Sequence, residues 1–234
     1  MAALFLIPTP LGEKGLHALP ENVLHIAHRL DYFIAERAKT ARRFLKESGF
    51  VRPLHDLTFF ELNKRTPEAQ KRTFLDPALA GHDMGLLSEA GCPGVADPGA
   101  DMVQRAHELG IRVVPLVGPS SILLALMASG MSGQQFAFHG YLSPKRPQLA
   151  RDLKRLEQES ARLKQTQVFM ETPYRNQNIL EEALKNLMPS TYLGVAADLT
   201  LPSEYTATFT IGSWKKRTLP DLHKRPSIFT LYAG

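Results

Sequence analysis

One stretch crowded with turn formers, Ser88-Glu89-Ala90-Gly91-Cys92-Pro93-Gly94-Val95-Ala96-Asp97-Pro98-Gly99, sits between two apolar elements and limits the fold more than any other part of the chain. Met84 to Leu87 before it has the continuous apolar character of a buried strand. Asp101 to Leu109 after it predicts a helix, which Gly110 stops. Ile111 to Val117 predicts a second strand, and Gly118-Pro119-Ser120-Ser121 opens another helix. Strand, loop, helix, strand, loop, helix is a βαβα unit of a parallel sheet. Loops that follow successive strands of such a sheet lie at its carboxyl edge, where open α/β sheets bind ligands. Each loop taken alone would serve equally well as a plain tight connection.

The rest of the first half alternates in the same way. Strands are predicted near Leu4 to Ile7 and at Tyr32 to Ala35, and helices near Glu21 to Arg29 and at Thr40 to Ser48. Arg52 to Pro67 reads as irregular and contains Phe59-Phe60-Glu61-Leu62-Asn63-Lys64-Arg65. A helix over Ser121 to Ser129 leads to the polar segment Gly130 to Gln135, a plausible domain joint. Beyond it, strands are expected near Phe136 to Gly140, at Gln167 to Met170 and at Tyr192 to Ala197. Helices are expected at Arg151 to Leu163 and Ile179 to Leu187. Thr206 to Ile211 and Ser227 to Tyr232 alternate as edge or antiparallel strands do. The expectation is two α/β domains, residues 1–130 with a mainly parallel sheet and 131–234 with a mixed one.

At 234 residues and 44% apolar, the chain can bury a substantial core, and 22% charged residues argue against disorder. The longest apolar run, Ile122 to Ala128, falls far short of the ~20 residues of a membrane span. Met1 to Ile7 has no basic flank and meets Pro8 at once, so it reads as a first strand rather than a signal peptide, and a cytoplasmic location is expected. The single cysteine, Cys92, forms no intramolecular disulfide, and no histidine near it in sequence activates it as a nucleophile. The eight histidines show no metal-ligand spacing. The formal charge of +5 is concentrated at Arg37, Lys39, Arg42, Arg43 and Lys46, at Lys145, Arg146, Arg151, Lys154 and Arg155, and at Lys215, Lys216, Arg217, Lys224 and Arg225. Three basic clusters suggest a nucleic-acid partner, and each is equally compatible with a solvated face.

Several segments in order carry a family likeness. They are Leu6-Ile7-Pro8-Thr9-Pro10-Leu11-Gly12, Ala35-Glu36 with Thr40 and Arg42, and Glu61 with Asn63. Ser88 to Gly99, Gly118-Pro119-Ser120 and Glu171-Thr172-Pro173-Tyr174-Arg175 follow, and Ala197 to Thr200 is a weaker echo. With them the chain resembles the tetrapyrrole methylase superfamily, and within it the RsmI-type enzymes that methylate a ribose 2′-hydroxyl of small-subunit rRNA. The likeness runs from about Leu4 to Ile211. It departs from the family where Arg37 replaces the usual aspartate, Lys39 an arginine, Glu89 an aspartate and Ala197 an arginine, and where Phe60 and Leu62 flank Glu61 in place of histidines.

The resemblance implies an S-adenosyl-L-methionine-dependent methyltransferase that works as a homodimer. It implies a cofactor site made by Pro10, Leu11, Gly91, Cys92, Pro93, Val95, Ser120, Ser121, Met170, Glu171 and Ala197, with the second domain on the adenine side. A ribose hydroxyl loses its proton as it attacks the methyl group, so a carboxylate acceptor is expected. Glu36 and Glu61 are the candidates, and Arg175 could anchor a phosphate. Two other readings stay open: a methylase of a small tetrapyrrole-like molecule, and a catalytically silent RNA-binding or scaffold homologue.

Overall fold

The computed structural model describes residues 2–234, which divide into one unit ending at Ser120 and another running from Ser121 to Gly234. The first unit runs β1 (Ala3–Ile7), α1 (Glu21–Arg29), β2 (Tyr32–Ala35), α2 (Ala38–Glu47), β3 (Thr58–Glu61), α3 (Glu68–Lys71), α4 (Asp76–Leu79), β4 (Met84–Leu87), α5 (Gly99–Glu108) and β5 (Arg112–Pro115). Its sheet is parallel throughout, in the order β3-β2-β4-β1-β5.

Alternation along β1 explains the layering. Ala3, Phe5 and Ile7 join Val23 and Ala27 of α1 and Phe44 and Leu45 of α2 in one core. Leu4 faces the other way, toward Met102 and Ala106 of α5 and Phe74 and Leu75 beside α4. Strands buried on both faces must be apolar at every position, as Met84 to Leu87 are. β3 lies inside the segment that the sequence leaves irregular. Its four residues pair only with β2 at the sheet edge, and their burial is too uneven to show a period.

The second unit runs α6 (Ser121–Ser129), β6 (Phe136–Tyr141), α7 (Arg146–Leu163), β7 (Thr166–Glu171), α8 (Asn176–Asn186), β8 (Tyr192–Ala197), β9 (Tyr205–Thr210), α9 (Ile211–Trp214) and β10 (Ser227–Tyr232). The sheet order is β6-β7-β10-β8-β9, with β6 parallel to β7 and every other pair antiparallel. The mixed sheet is therefore as expected. α7 and α8 bury Leu149, Leu153, Leu156, Ile179 and Leu180 against Phe169, Leu193 and Phe229 of one face.

The units part at Ser120, ahead of the Gly130–Gln135 joint suggested by composition, because α6 belongs to the second sheet. Its small residues Ala125, Ala128 and Ser129 meet Gly194, Thr208 and Thr230 on the face opposite α7. Gly194 makes that approach possible, since a Cβ there would lie 2.2 Å from Thr230 Oγ1.

Candidate functional site

β1 and β4 are neighbours whose following helices, α1 and α5, pack on opposite faces of the sheet. Their loops therefore part at a topological switch point, the position where open α/β sheets hold ligands. The floor of this opening is stitched. Thr9 and Gly91 exchange N–H···O bonds of 3.0 Å in both directions, outside either strand. Beneath them Thr9 Oγ1 donates to the Ser88 carbonyl at 3.2 Å, and Ser88 Oγ donates to that of Gly91 at 2.6 Å.

A third loop closes on the same point. Gly91 has φ +76°, and a Cβ there would sit 3.1 Å from Leu11 Cδ2 and 3.3 Å from the Pro119 carbonyl oxygen. A Cβ on Gly118 would come within 2.4 Å of the Pro8 ring. Cys92 Sγ points at the carbonyls of Pro119, at 3.5 Å, and Gly118, at 3.9 Å. Burial pushes the Cys92 thiol above its ordinary pKa, so this sulfur stays protonated and serves packing. The structure thus brings together Pro10, Leu11, Gly91, Cys92, Pro93 and Ser120 on three adjoining loops.

The far end of the β4 loop is clamped by Asp97. Its Oδ1 accepts from the backbone N–H groups of Gly94 and Gly99, both at 2.8 Å. The clamp holds Ala96 at φ +59°, a conformation that non-glycine residues rarely adopt. Val95 is thereby held outward, 48% exposed although apolar. Burial raises the Asp97 pKa above the ordinary carboxylate value, its two backbone bonds pull it back, and the Glu36 carboxylate adds to the rise.

The carboxylates at this edge have different commitments. Glu61 Oε1 accepts from Ala38 N–H at 2.8 Å and so caps the first turn of α2. Glu89 accepts from Thr40 Oγ1 at 3.2 Å. Glu36 makes no hydrogen bond or ion pair among the described residues, and it lines a narrow cleft of about 10 Å³ with Leu62, Ser88, Glu89 and Asp97. A larger crevice of about 170 Å³ opens on the other side of Glu89, walled by Pro10, Leu11, Thr40, Phe44 and Ala90. Thr9 and Glu89 are the residues that sequence reasoning missed; Asp97, which the sequence offers as a cap for the helix that starts near Pro98, caps it at Gly99 N–H and holds Gly94 N–H as well. Its signal is local: Asp97 precedes Pro-Gly at a helix start, where side-chain oxygens cap free N–H groups.

Within the second unit, β10 brings two of the expected segments together. Ser227 pairs with Glu171 at the end of β7 and with Ala197 at the end of β8, and Ile228 pairs with Met170. The Glu171 carboxylate is buried and accepts from Thr172 N–H at 2.6 Å and from Arg175 Nη2 at 2.5 Å. Arg175 is therefore committed to Glu171. Ser121 is the first residue of α6.

The basic clusters are likewise divided. Arg42 stacks on Phe59 at 4.6 Å, Arg43 faces Glu13 at 3.8 Å, Arg155 pairs with Glu159, Arg217 stacks on Phe209 and Arg225 pairs with Asp198. Among the described residues no three His, Cys, Asp or Glu side chains gather as metal ligands. None of the described helices is long and apolar enough to cross a membrane.

A parallel α/β unit with three convergent loops at its carboxyl edge, followed by a mixed-sheet α/β unit, defines a fold shared with the crystal structure of the methyltransferase CobJ. The TM-score is 0.63 at 17% identity, with full coverage of both chains. The family described as Tetrapyrrole (Corrin/Porphyrin) Methylases matches residues 4–214, and the chain belongs to it. Among curated relatives, ribosomal RNA small subunit methyltransferase I of Escherichia coli O157:H7 is 30% identical over 197 residues, 84% of this chain and 65% of that protein. The protein of the same name from Vibrio cholerae is 30% identical over 206 residues, 88% of this chain and 66% of the relative. That of Haemophilus influenzae is 28% identical over 218 residues, 93% and 73%. The chain spans just under two thirds of the length of the first two.

Proposed function

We propose that the chain is an S-adenosyl-L-methionine-dependent methyltransferase acting on a ribose 2′-hydroxyl of small-subunit rRNA. The observation that carries this reading is the convergence of three loops on Gly91, whose lack of a side chain lets the Leu11 side chain and the Pro119 carbonyl approach its backbone. A sulfonium nucleoside needs this kind of cradle, with close backbone approach and apolar walls rather than a nest for phosphates. Leu11 and the outward Val95 offer such walls. The names of the curated relatives favour rRNA over a small tetrapyrrole as acceptor.

On this reading Pro10, Leu11, Gly91, Cys92, Pro93, Val95 and Ser120 hold the cofactor in the first unit. The strand edge with Met170, Glu171 and Ala197, together with Ser121, is the second unit's candidate. The cofactor supplies an activated methyl group when bound, so the protein's tasks are orientation, water exclusion and removal of the acceptor's proton. Glu61 and Arg175 are engaged by Ala38 and Glu171. The free carboxylate of Glu36 is left to receive the hydroxyl proton. A homodimer and a cytoplasmic location accompany the reading on the strength of the family likeness.

The test has two steps. S-adenosylhomocysteine at saturating concentration is expected to raise the melting temperature through linkage. Labelled methyl groups should then appear at a ribose of rRNA when small ribosomal subunits from a strain lacking this protein are the acceptor, as identified by nucleoside mass spectrometry. No thermal shift, or label on a base alone, would refute the reading.

A further inference from the structure

Sorting the cations of the first unit by what they already touch exposes a second grouping, different from the clusters in the sequence. Arg29, Arg42, Arg43, Arg52, Lys71 and Arg105 each hold a carboxylate, an aromatic ring or a carbonyl of their own chain. Eight cations hold nothing among the described residues and are exposed: Lys14, Lys46, Arg72 and Arg112 are scattered over the β1 loop, the last turn of α2, the end of α3 and β5, and Arg37, Lys39, Lys64 and Arg65 are the other four.

These four share one place in the fold. Ala35 at the end of β2 is the register partner of Glu61 at the end of β3, so Arg37 and Lys64 follow the carboxyl ends of adjacent parallel strands. Lys39 lies in the first turn of α2, which the Glu61 carboxylate ties to the end of β3 through Ala38. The turn carrying Lys64 and Arg65 is fixed by its own hydrogen bonds. Asn63 N–H donates to Thr66 Oγ1 and Arg65 N–H to Asn63 Oδ1, each at 2.9 Å. Thr66 Oγ1 in turn donates to the Glu61 carbonyl, also at 2.9 Å. Thr66 N–H closes the turn on the Asn63 carbonyl at 3.0 Å. A turn so held presents its two cations at little further cost in backbone order.

We propose that Arg37, Lys39, Lys64 and Arg65 form a phosphate-gripping shoulder that receives the single-stranded backbone of the RNA acceptor from the β3 side of the sheet. This rests on the rRNA reading above and joins two members of the first sequence cluster, Arg37 and Lys39, to Lys64 and Arg65, which the three sequence clusters do not contain. A small anion is satisfied by one or two cations. Four of them, spread over a helix start and the ends of two strands about 4.8 Å apart, suit a charge that repeats along a chain. Glu36 at the end of β2 lies next to Arg37, so a backbone gripped here leads to the carboxylate assigned to the acceptor's proton.

The test is the salt dependence of binding to a labelled single-stranded fragment of small-subunit rRNA, by fluorescence anisotropy from about 50 to about 200 mM salt. The double variant Lys64→Glu/Arg65→Glu is expected to bind roughly tenfold more weakly, with a slope of log K against log salt shallower by about 1.4, two single-strand phosphate contacts. A control with the same charge change, Arg112→Glu/Lys185→Glu, alters exposed cations at the opposite edge of the first sheet and at the end of α8, and should keep the native slope. A native slope in the first variant, or an equal loss in the control, would overturn the shoulder while leaving rRNA binding intact. Native protein that shows no salt-dependent RNA binding, yet still warms with S-adenosylhomocysteine, would instead bring down the rRNA reading and the shoulder with it.

Discussion

Thr9 and Gly91 are paired like neighbours in a ladder, N–H to carbonyl in both directions at 3.0 Å, although each lies in a loop beyond the end of its strand. The pairing extends the contact between β1 and β4 past the sheet and fixes the backbone of the β4 loop where the β5 loop arrives.

Substitution of Gly91 tests that junction. A leucine there would have to adopt φ +76° and push against Leu11 and the Pro119 carbonyl. The strain is on the order of 1–2 kcal/mol, which a unit of this size survives. Gly91→Leu is expected to fold, with a melting temperature a few degrees lower, and to lose the heat of S-adenosylhomocysteine binding in calorimetry. Binding at native affinity would remove Gly91 from the cofactor's surroundings.

Glu36 and Glu61 should separate cleanly. Glu36→Gln is expected to lower methyl transfer by about 10²–10⁴-fold with the melting temperature nearly unchanged, because this side chain holds nothing and, on the proposed reading, takes the proton. Glu61→Ala is expected to cost about 0.5–2 kcal/mol of stability through the lost cap on α2, as measured by urea denaturation. If the two variants exchange these phenotypes, the roles are reversed.

The difference between these two residues also marks how far the sequence could be read. The apolar run Met84–Leu87 and the turn-rich stretch after it were sufficient for the parallel sheet and for the loops at its carboxyl edge. β3 escaped notice because four edge residues with mixed exposure carry no period. The starts of α7 and α8 lie earlier than expected, α7 because Pro147 and its basic neighbours resemble a loop yet suit a first helical turn. Glu36 and Glu61 were equally good carboxylates on paper. Only the alignment of β2 with β3 shows that one caps a helix and the other is free. Asp97 was legible as a helix cap, but its hold on Gly94 depends on a chain reversal that no spacing rule encodes.

Asp97 gives stability a pH dependence. Burial makes its carboxyl hold a proton more tightly in the folded chain than in the unfolded one. Its contribution to stability is therefore complete below the unfolded carboxylate range and is lost as pH rises through the higher folded value. Asp97→Asn keeps an oxygen for Gly94 and Gly99 and removes the charge. The variant should melt above the native protein at pH 7 and lose that advantage on acidification toward pH 3. A variant that is less stable at neutral pH would show that the charge itself strengthens the clamp.

Gly194 offers a test within the second unit. A Cβ there would stand 2.2 Å from Thr230 Oγ1 and 2.9 Å from Thr208 Oγ1. Gly194→Ala is expected to destabilise by about 1–3 kcal/mol through overpacking. Adding Thr230→Ala should restore part of the loss, a coupling that a double-mutant cycle on chemical denaturation would reveal. Strictly additive effects would mean that the strands, rather than the threonine, absorb the extra methyl.

The position of Cys92 has a practical consequence. The only native sulfhydryl is half-buried and turned toward the Gly118 and Pro119 carbonyls, with its ionisation suppressed. Maleimide dyes or spin labels will react much faster with a cysteine placed on an exposed helix than with the native one. Each unit can therefore carry a reporter for distance measurements during turnover without the wild-type background first being stripped of sulfur.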